Sequence, residues 1–462
     1  MDECYTYYGV WHDSFGEFYS SMLTGINFSP PLYFLFNFFI QLVYPTSIEF
    51  LRVQSLIWAL IGIIICFIFS RKSFGLFPSI VGTLLVSCHS NLLLTQSQEA
   101  RQYTMFFACG AWVLLMQSIE DKQSKKSFTL TLLAHLSLCQ VHYLGIIFSA
   151  LVGVVYLCAQ NQKFILSRIP LSIYLSWLLS VPLYLYFLNN QQSLLNTWPK
   201  PNRFSDLLTV YQSGTLALFS IIPILIIACI TQNSVPNDSL KKKCNNGVLL
   251  TSIFWYGVPF LIWGISHLFP INLFNDRYFI PKDAALIFMV CFACNKIVPI
   301  NKGNGLKSKV VARAPALAVL TLCLALLFVH HRRSSFSYDE SRNYHYWLLS
   351  HNELINFGIP VVLCGDPAFF PNSYTKPDSS YFWVNDDNLY SVYSQYSSKL
   401  KLVNASKLND FESFILVGGK ENFAHFQSAF FQSKDLGKFN ENLTFHCTLF
   451  EKRTALKLPL PG

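Results

Sequence analysis

The chain has 462 residues, 52% of them hydrophobic and only 13% charged, with a formal net charge of +9 and a mean hydropathy of +0.36. Soluble domains run near a quarter charged, so the composition excludes an ordinary soluble enzyme and indicates an integral membrane protein. The basic excess does not describe a nucleic-acid surface, because Lys and Arg fall in short clusters between apolar runs.

The chain opens with Asp2-Glu3, an aromatic-rich run through Tyr19 and Ser29-Pro30-Pro31-Leu32-Tyr33; Asp2, Glu3, Asp13, Glu17 and Glu49 all precede the first basic residue, Arg52. Residues 30–44 are apolar but short, opened by prolines and interrupted by Asn37 and Gln41. They predict a helix lying in the membrane interface rather than a span. Ten later runs approach the roughly 20 apolar residues a span requires: about 53–70, 78–96, 103–119, 128–141, 144–160, 169–188, 214–231, 248–267, 278–295 and 314–330.

Alternate loops between these runs carry Arg71-Lys72, Lys122/Lys125/Lys126, Lys163/Arg168, Lys241–Lys243 and Lys296 through Arg313. That is fifteen of the 34 Lys and Arg against three acids. The positive-inside rule assigns this set to the cytoplasm and the other loops, with the acidic N-terminus, to the outer face. Residues 331–462 hold thirteen basic and thirteen acidic residues, a soluble balance. Apolar stretches at 360–364 and 414–417 ending in Gly-Asp and Gly-Gly predict strands, and 344–356 a helix. The expected architecture is therefore mostly α and polytopic, with an outer acidic segment over 1–52, a bundle of about ten spans over 53–330 and a small C-terminal α/β domain over 331–462.

Most of the thirteen cysteines lie in apolar runs as small hydrophobes. Cys364 and Cys447 in the tail could pair in an oxidising compartment. Divalent cations bind carboxylates and imidazoles, and Asp2, Glu3, His12 and His142 are candidates, but no pair has diagnostic spacing and no metal is expected.

Polar residues gather in the outer loops: Asp2 and Glu3; Gln98-Glu99-Ala100-Arg101-Gln102-Tyr103; His142-Tyr143; Trp198, Lys200, Arg203 and Asp206; and Asn275-Asp276-Arg277-Tyr278, followed by Lys282 and Asp283. Singly, each has a structural explanation as interfacial aromatic, snorkelling base or helix cap. Five loops bearing such groups on one side favour a shared site.

The ordered set of Asp-Glu, Ser-Pro-Pro-Leu-Tyr, Leu51-Arg52, Arg71-Lys72-Ser73-Phe74-Gly75 and Glu99-Ala100-Arg101-Gln102-Tyr103 resembles the multi-pass, family 39 type of glycosyltransferases with the GT-C fold. This group includes protein O-mannosyltransferases and the aminoarabinose transferase that modifies lipid A. Many of its bacterial members have Glu-Ala-Arg-Pro-Tyr at the last position, and Arg277-Tyr278-Phe279-Ile280-Pro281 resembles their Arg-Tyr-x-x-Pro. Members carry a transmembrane helix before the Asp-Glu pair, whereas here Met1 stands directly before Asp2; a truncated start and a lost helix both fit that difference.

The resemblance implies inverting transfer of a hexose or pentose from a polyprenyl-phosphate carrier to an acceptor hydroxyl on a glycan, lipid or protein, at the outer face of a bacterial inner membrane. Asp2 is then the candidate base and Glu3 positions acceptor or sugar. Arg101, Arg277 and Lys282 would stabilise the leaving phosphate, with Glu99, Tyr103, His142 and Tyr278 as further substrate contacts. A transporter or flippase of lipid-linked glycans is the alternative; it usually carries repeats and mid-membrane charges, and the spans show no pseudo-repeat and few internal charges.

Overall fold

The computed structural model describes residues 3–24, 29–44, 47–118, 124–159, 168–190, 204–211, 239–268, 274–297, 360–364, 380–383, 397, 401–403, 405–408, 410–419, 431–438 and 445–452. The chain divides into two compact units, one of residues 1–27, 40–48 and 333–462, the other of 28–39 and 49–332.

The larger unit is a helical bundle. It contains most of α3 (Leu32–Gln41) and α4 (Ile48–Phe74), then α5 (Leu76–His89), α6 (Asn91–Ser97), α7 (Tyr103–Ser118), α8 (Lys125–Val141), α9 (Gly145–Ala159), α10 (Arg168–Asn190), α11 (Phe204–Thr209), α12 (Ser239–Leu268), a 3₁₀ turn (Asp276–Phe279) and α13 (Pro281–Ile297). Among the described residues, Glu49–Phe74, Pro170–Asn190 and Gly247–Leu268 are long and apolar enough to cross a membrane, and Leu32–Gln41, Leu76–Cys88, Tyr103–Ser118 and Gly145–Leu157 are shorter apolar helices. The protein is thus a polytopic, mostly helical membrane protein with a small C-terminal sheet. The expected spans 214–231 and 314–330, and the helix at 344–356, lie outside the described residues.

Burial separates the helices that face lipid from those that form the core. On α4, Val53, Leu56, Ile57, Leu60, Ile64 and Ile68 are exposed, whereas Leu51, Ala59, Cys66 and Phe69 are buried. The spacing of three and four residues is that of one helical face turned outward. Nearly every residue of α7 from Tyr103 to Gln117 is buried, as are residues 278–293 around α13, so these two helices form the centre.

Small residues set the close approaches, as expected where lipid supplies no hydrophobic drive between helices. A Cβ on Gly62 of α4 would lie 2.5 Å from the Phe107 ring, and one on Gly82 of α5 would meet Cys291 Sγ at 2.4 Å. Phe69 stacks on Phe288 at 4.7 Å. Polar links join helices at depth: Gln117 Nε2 donates to Thr251 Oγ1 (2.8 Å), Trp255 Nε1 to the Phe148 carbonyl (2.9 Å) and Gln140 Nε2 to Ser180 Oγ (3.0 Å).

The run expected as one span at 78–96 is broken. Ser90 adopts an extended backbone between α5 and α6, and its Oγ accepts from Leu93 N–H as the N-cap of α6. The cap satisfies a backbone donor that a break would otherwise leave orphaned.

In the smaller unit, α1 (Glu3–Val10) and α2 (Phe15–Leu23) form a short helical pair. Ser14 caps α2 by accepting from Glu17 N–H at 3.2 Å, and Gln41 Nε2 donates to the His12 carbonyl at 2.6 Å. The C-terminal portion holds β1 (Val361–Cys364), β2 (Ser380–Trp383), β3 (Leu402–Val403), the helical turn α14 (Ala405–Leu408), β4 (Ser413–Gly419), β5 (Phe431–Lys438) and β6 (Phe445–Lys452). The sheet order is β3-β2-β1-β4-β6-β5; the first four strands are parallel and the last two pairings antiparallel.

Its core comprises Val362, Val403, Leu408, Phe414, Leu416 and Phe450, with Phe414 stacked on Phe450 at 5.2 Å. The register removes the suggested Cys364–Cys447 disulfide. Cys447 pairs with Val417, which pairs with Leu363, so β4 runs between the two cysteines. Two strand spacings are about 10 Å, more than a disulfide spans.

Candidate functional site

The most clearly built site lies where helices of the bundle end, and it begins with the turn between α6 and α7. Gln98 N–H reaches the Thr95 carbonyl (3.1 Å) and Arg101 N–H the Glu99 carbonyl (2.8 Å), which closes the turn tightly. Two outside contacts fix it: Ser55 Oγ of α4 donates to the Arg101 carbonyl (3.3 Å), and Gln102 Nε2 donates to Ser29 Oγ (2.8 Å). The Arg101 guanidinium lies over the Tyr103 ring, 5.7 Å from its centroid. A cation–π contact of this kind holds the cation in place without neutralising it.

His142 arrives from the end of α8, as the C-terminal cap with an extended backbone. The turn that presents it depends on Gly145: a Cβ there would lie 2.1 Å from the Leu138 carbonyl oxygen. Tyr184 of α10 donates to the carbonyl of Cys139, holding the last turn of α8. The imidazole packs against Phe106 at 5.0 Å, Tyr278 at 4.5 Å and Tyr103 at 6.1 Å. Its Nδ1 accepts from Leu144 N–H at 3.2 Å, so a neutral ring carries its proton on Nε2. Burial, with the Arg101 charge as a second cause, pushes its pKa down to about 3. His142 is therefore a neutral donor across the physiological range.

The third contribution comes from the turn before α13. Asn275 caps the 3₁₀ turn by accepting from Arg277 N–H (3.3 Å), and Asp276 Oδ1 accepts from the same N–H (2.8 Å). Tyr278 thereby faces Tyr103 at 6.1 Å and His142. Pro281 opens α13, where a missing N–H costs nothing, and a Cβ on Gly110 of α7 would lie 3.0 Å from its Cβ. Two segments that each carry a guanidinium, at Arg101 and Arg277, so converge on one aromatic cluster.

The first turn of α13, which follows Tyr278 in the chain, carries a buried ion pair. Lys282 Nζ is 2.9 Å from Asp283 Oδ1, with the two side chains 3% and 2% exposed, and Ser90 Oγ donates to Asp283 Oδ2 at 2.6 Å. One hydroxyl thus caps α6 and satisfies the carboxylate of α13.

Of the residues expected from sequence, Arg101, Tyr103, His142 and Tyr278 are brought together, and Arg277 adjoins them in sequence. Glu99 sits half-buried in the same turn. Lys282 has its ammonium met by Asp283. Asp2, Lys200 and Arg203 lie outside the described residues, and Glu3 opens α1 in the smaller unit. Among the described residues no group of three His, Cys, Asp or Glu side chains could hold a metal. Sequence reasoning missed Phe106, Ser55 and Ser90; the polar triplet His89-Ser90-Asn91 inside an apolar run was the available signal for the last.

The sequence matches no family profile and no curated protein. Its fold is shared with two structures of ArnT from Cupriavidus metallidurans. One is bound to undecaprenyl phosphate (11% identity) and the other is in the apo state (12%). Each alignment covers 91% of this chain and 87% of that chain with a TM-score of 0.58.

Proposed function

We propose that the chain is an inverting glycosyltransferase that moves a sugar from a polyprenyl-phosphate carrier to an acceptor hydroxyl of an envelope glycan, lipid or protein, at the outer face of a bacterial inner membrane. The observation that carries this reading is the Arg101–Tyr103–His142–Tyr278 cluster at the helix ends. It offers a guanidinium and a neutral Nε2–H donor beside a bundle whose fold is shared with a protein solved with undecaprenyl phosphate.

In this reading the prenyl tail lies along the apolar helices and the phosphate meets Arg101, with Arg277 as the second cation. The acceptor oxygen attacks the anomeric carbon from the face opposite the phosphate. The C1–O bond breaks with its electron pair going to the phosphate, and the acceptor proton passes to a carboxylate. Guanidinium forks suit the dianion that develops, and His142 donates without competing for the proton. Lys282 joins the phosphate contacts only in exchange for its bond to Asp283. Asp2 is assigned as the base and Glu3 as its neighbour in substrate positioning, an assignment that rests on the sequence resemblance. Residues 53–330 form the scaffold and 331–462 an extracytoplasmic domain.

The test uses full-length protein in nanodiscs. Arg101→Ala should weaken binding of undecaprenyl phosphate, and Arg101→Lys should restore it only in part, because a point charge lacks the fork. Asp2→Asn should insert normally and bind the carrier but lose transfer by about 10²–10⁴-fold. Carrier binding indifferent to Arg101, or transfer that survives Asp2→Asn, refutes the assignment.

A further inference from the structure

We propose that α3 and the turn that ends it form a wedge sunk into one leaflet of the bilayer, with acyl chains against its outward face. The proposal needs only that the chain spans a membrane and does not rest on the sugar transfer proposed above.

The outward face is apolar. On α3, Phe36 (37%) and Phe39 (54%) are exposed, and Leu42 (59%) and Val43 (88%) prolong the exposed run past the helix end. Tyr33, Phe34, Asn37 and Phe38 make up the buried side, the spacing of a two-faced helix. No charged residue stands between Glu17 and Glu49, so insertion buries no charge. The polar side chains of the helix are engaged: Asn37 Nδ2 donates to the Tyr33 carbonyl at 2.9 Å, and Gln41 Nε2 to the His12 carbonyl at 2.6 Å. In the final turn the N–H groups of Val43 and Tyr44 both reach the Ile40 carbonyl, at 3.0 and 2.9 Å. These backbone donors are met without water, as acyl depth demands.

Depth follows from α4. Arg52 and Arg71 are both exposed on this helix and stand nineteen residues apart, about 28 Å along its axis. That is close to the roughly 30 Å of hydrocarbon in a bilayer, and bases at such a separation hold their charges at the two boundaries. Trp58 lies six residues inside Arg52, about 9 Å below that boundary. Phe36 meets the Trp58 ring edge to face at 5.6 Å, which holds α3 beside α4 at this level and puts its outward rings among acyl chains rather than headgroups. Val53, Leu56, Ile57 and Leu60 lie exposed on either side of Trp58 along α4. The outward face of α3 thus continues the lipid-facing stripe of α4, and the acyl layer that covers one covers the other.

The test uses the native full-length protein in phosphatidylcholine nanodiscs whose lipid carries a photoactivatable diazirine, either at mid-chain or on the headgroup, with adducts mapped by peptide mass spectrometry. The mid-chain probe should label residues 32–44 to within about two-fold of residues 53–60, and the headgroup probe should label 32–44 at least about five-fold less than the mid-chain probe does. Phe39→Asp should lower mid-chain labelling of 32–44 about five-fold or more while leaving 53–60 unchanged, because a carboxylate is expelled from acyl depth. Headgroup labelling of 32–44 that matches or exceeds mid-chain labelling overturns the wedge. So does labelling by neither probe, the result expected if protein covers this face, or a Phe39→Asp chain labelled like the native one.

Discussion

Asp283→Ala removes the carboxylate that meets both Lys282 and Ser90. In the native structure the ammonium lies 2.9 Å from the carboxylate with both side chains almost wholly buried, and Ser90 donates the second contact at 2.6 Å. Deleting one member of a buried pair leaves an uncompensated charge and costs about 3–5 kcal/mol. The freed Ser90 hydroxyl contributes within that figure, since hydrogen bonds to charged groups are worth about 1.5–3 kcal/mol. Removing both charges in Lys282→Met/Asp283→Leu leaves a packed apolar pair and should be near neutral, so the coupling between the sites should be about 3 kcal/mol or more. The assay is reversible unfolding in mixed micelles, with Asp283→Ala measured alone and the double-mutant cycle built from Lys282→Met, Asp283→Leu and their combination. Destabilisation by Asp283→Ala of under about 1 kcal/mol, or strictly additive single variants, would refute the ion pair as a mutually dependent buried unit of α13.

Stability should also follow pH through His142. Its folded pKa, about 3, lies below the unfolded value of about 6.5, so the unfolded chain binds the extra proton between them. The stability from the neutral ring is complete above about pH 6.5 and is lost as pH falls toward 3; His142→Gln should flatten that part of the wild-type profile, and an unchanged slope would count against the assignment. Gly82→Ala should destabilise by about 1–3 kcal/mol, because its Cβ would meet Cys291 N at 3.0 Å and the Ile287 carbonyl at 3.2 Å and the overpacked helices must part; melting temperature in detergent reads this directly. Gly145→Ala should be harsher, since the obstructing atom is the Leu138 carbonyl, and it should disturb carrier binding along with stability by displacing His142.

The helical architecture was legible because apolar runs of span length are a coarse, redundant signal that no single residue can erase. Arg101, Tyr103, His142 and Tyr278 were legible as polar and aromatic groups clustered at the ends of such runs. Their mutual packing was not, because ring contacts between α7, α8 and the turn before α13 depend on how the helices assemble. The break at Ser90 was hidden by averaging: Val86 and Leu92–Leu94 keep the surrounding window apolar, and the reason to break there is Asp283, 193 residues away. Lys282 was read as a cation for substrate because its partner is the next residue in sequence, and adjacency in a helix says little about whether two side chains meet. The sheet's strands were visible as short apolar stretches, but its order, and hence the separation of Cys364 from Cys447, depends on pairing that local pattern does not encode.

The interruption at Ser90 also decides how deep the charges lie. The fourteen residues of α5 rise about 21 Å, well short of the roughly 30 Å of hydrocarbon a bilayer presents. Because Ser90 meets Asp283 where α5 ends, the charges of Lys282 and Asp283 sit level with that end, and their near-complete burial leaves water no room to substitute for either partner. A length difference of a few residues in α5 would carry Ser90 out of reach of Asp283 and leave that carboxylate with one partner fewer.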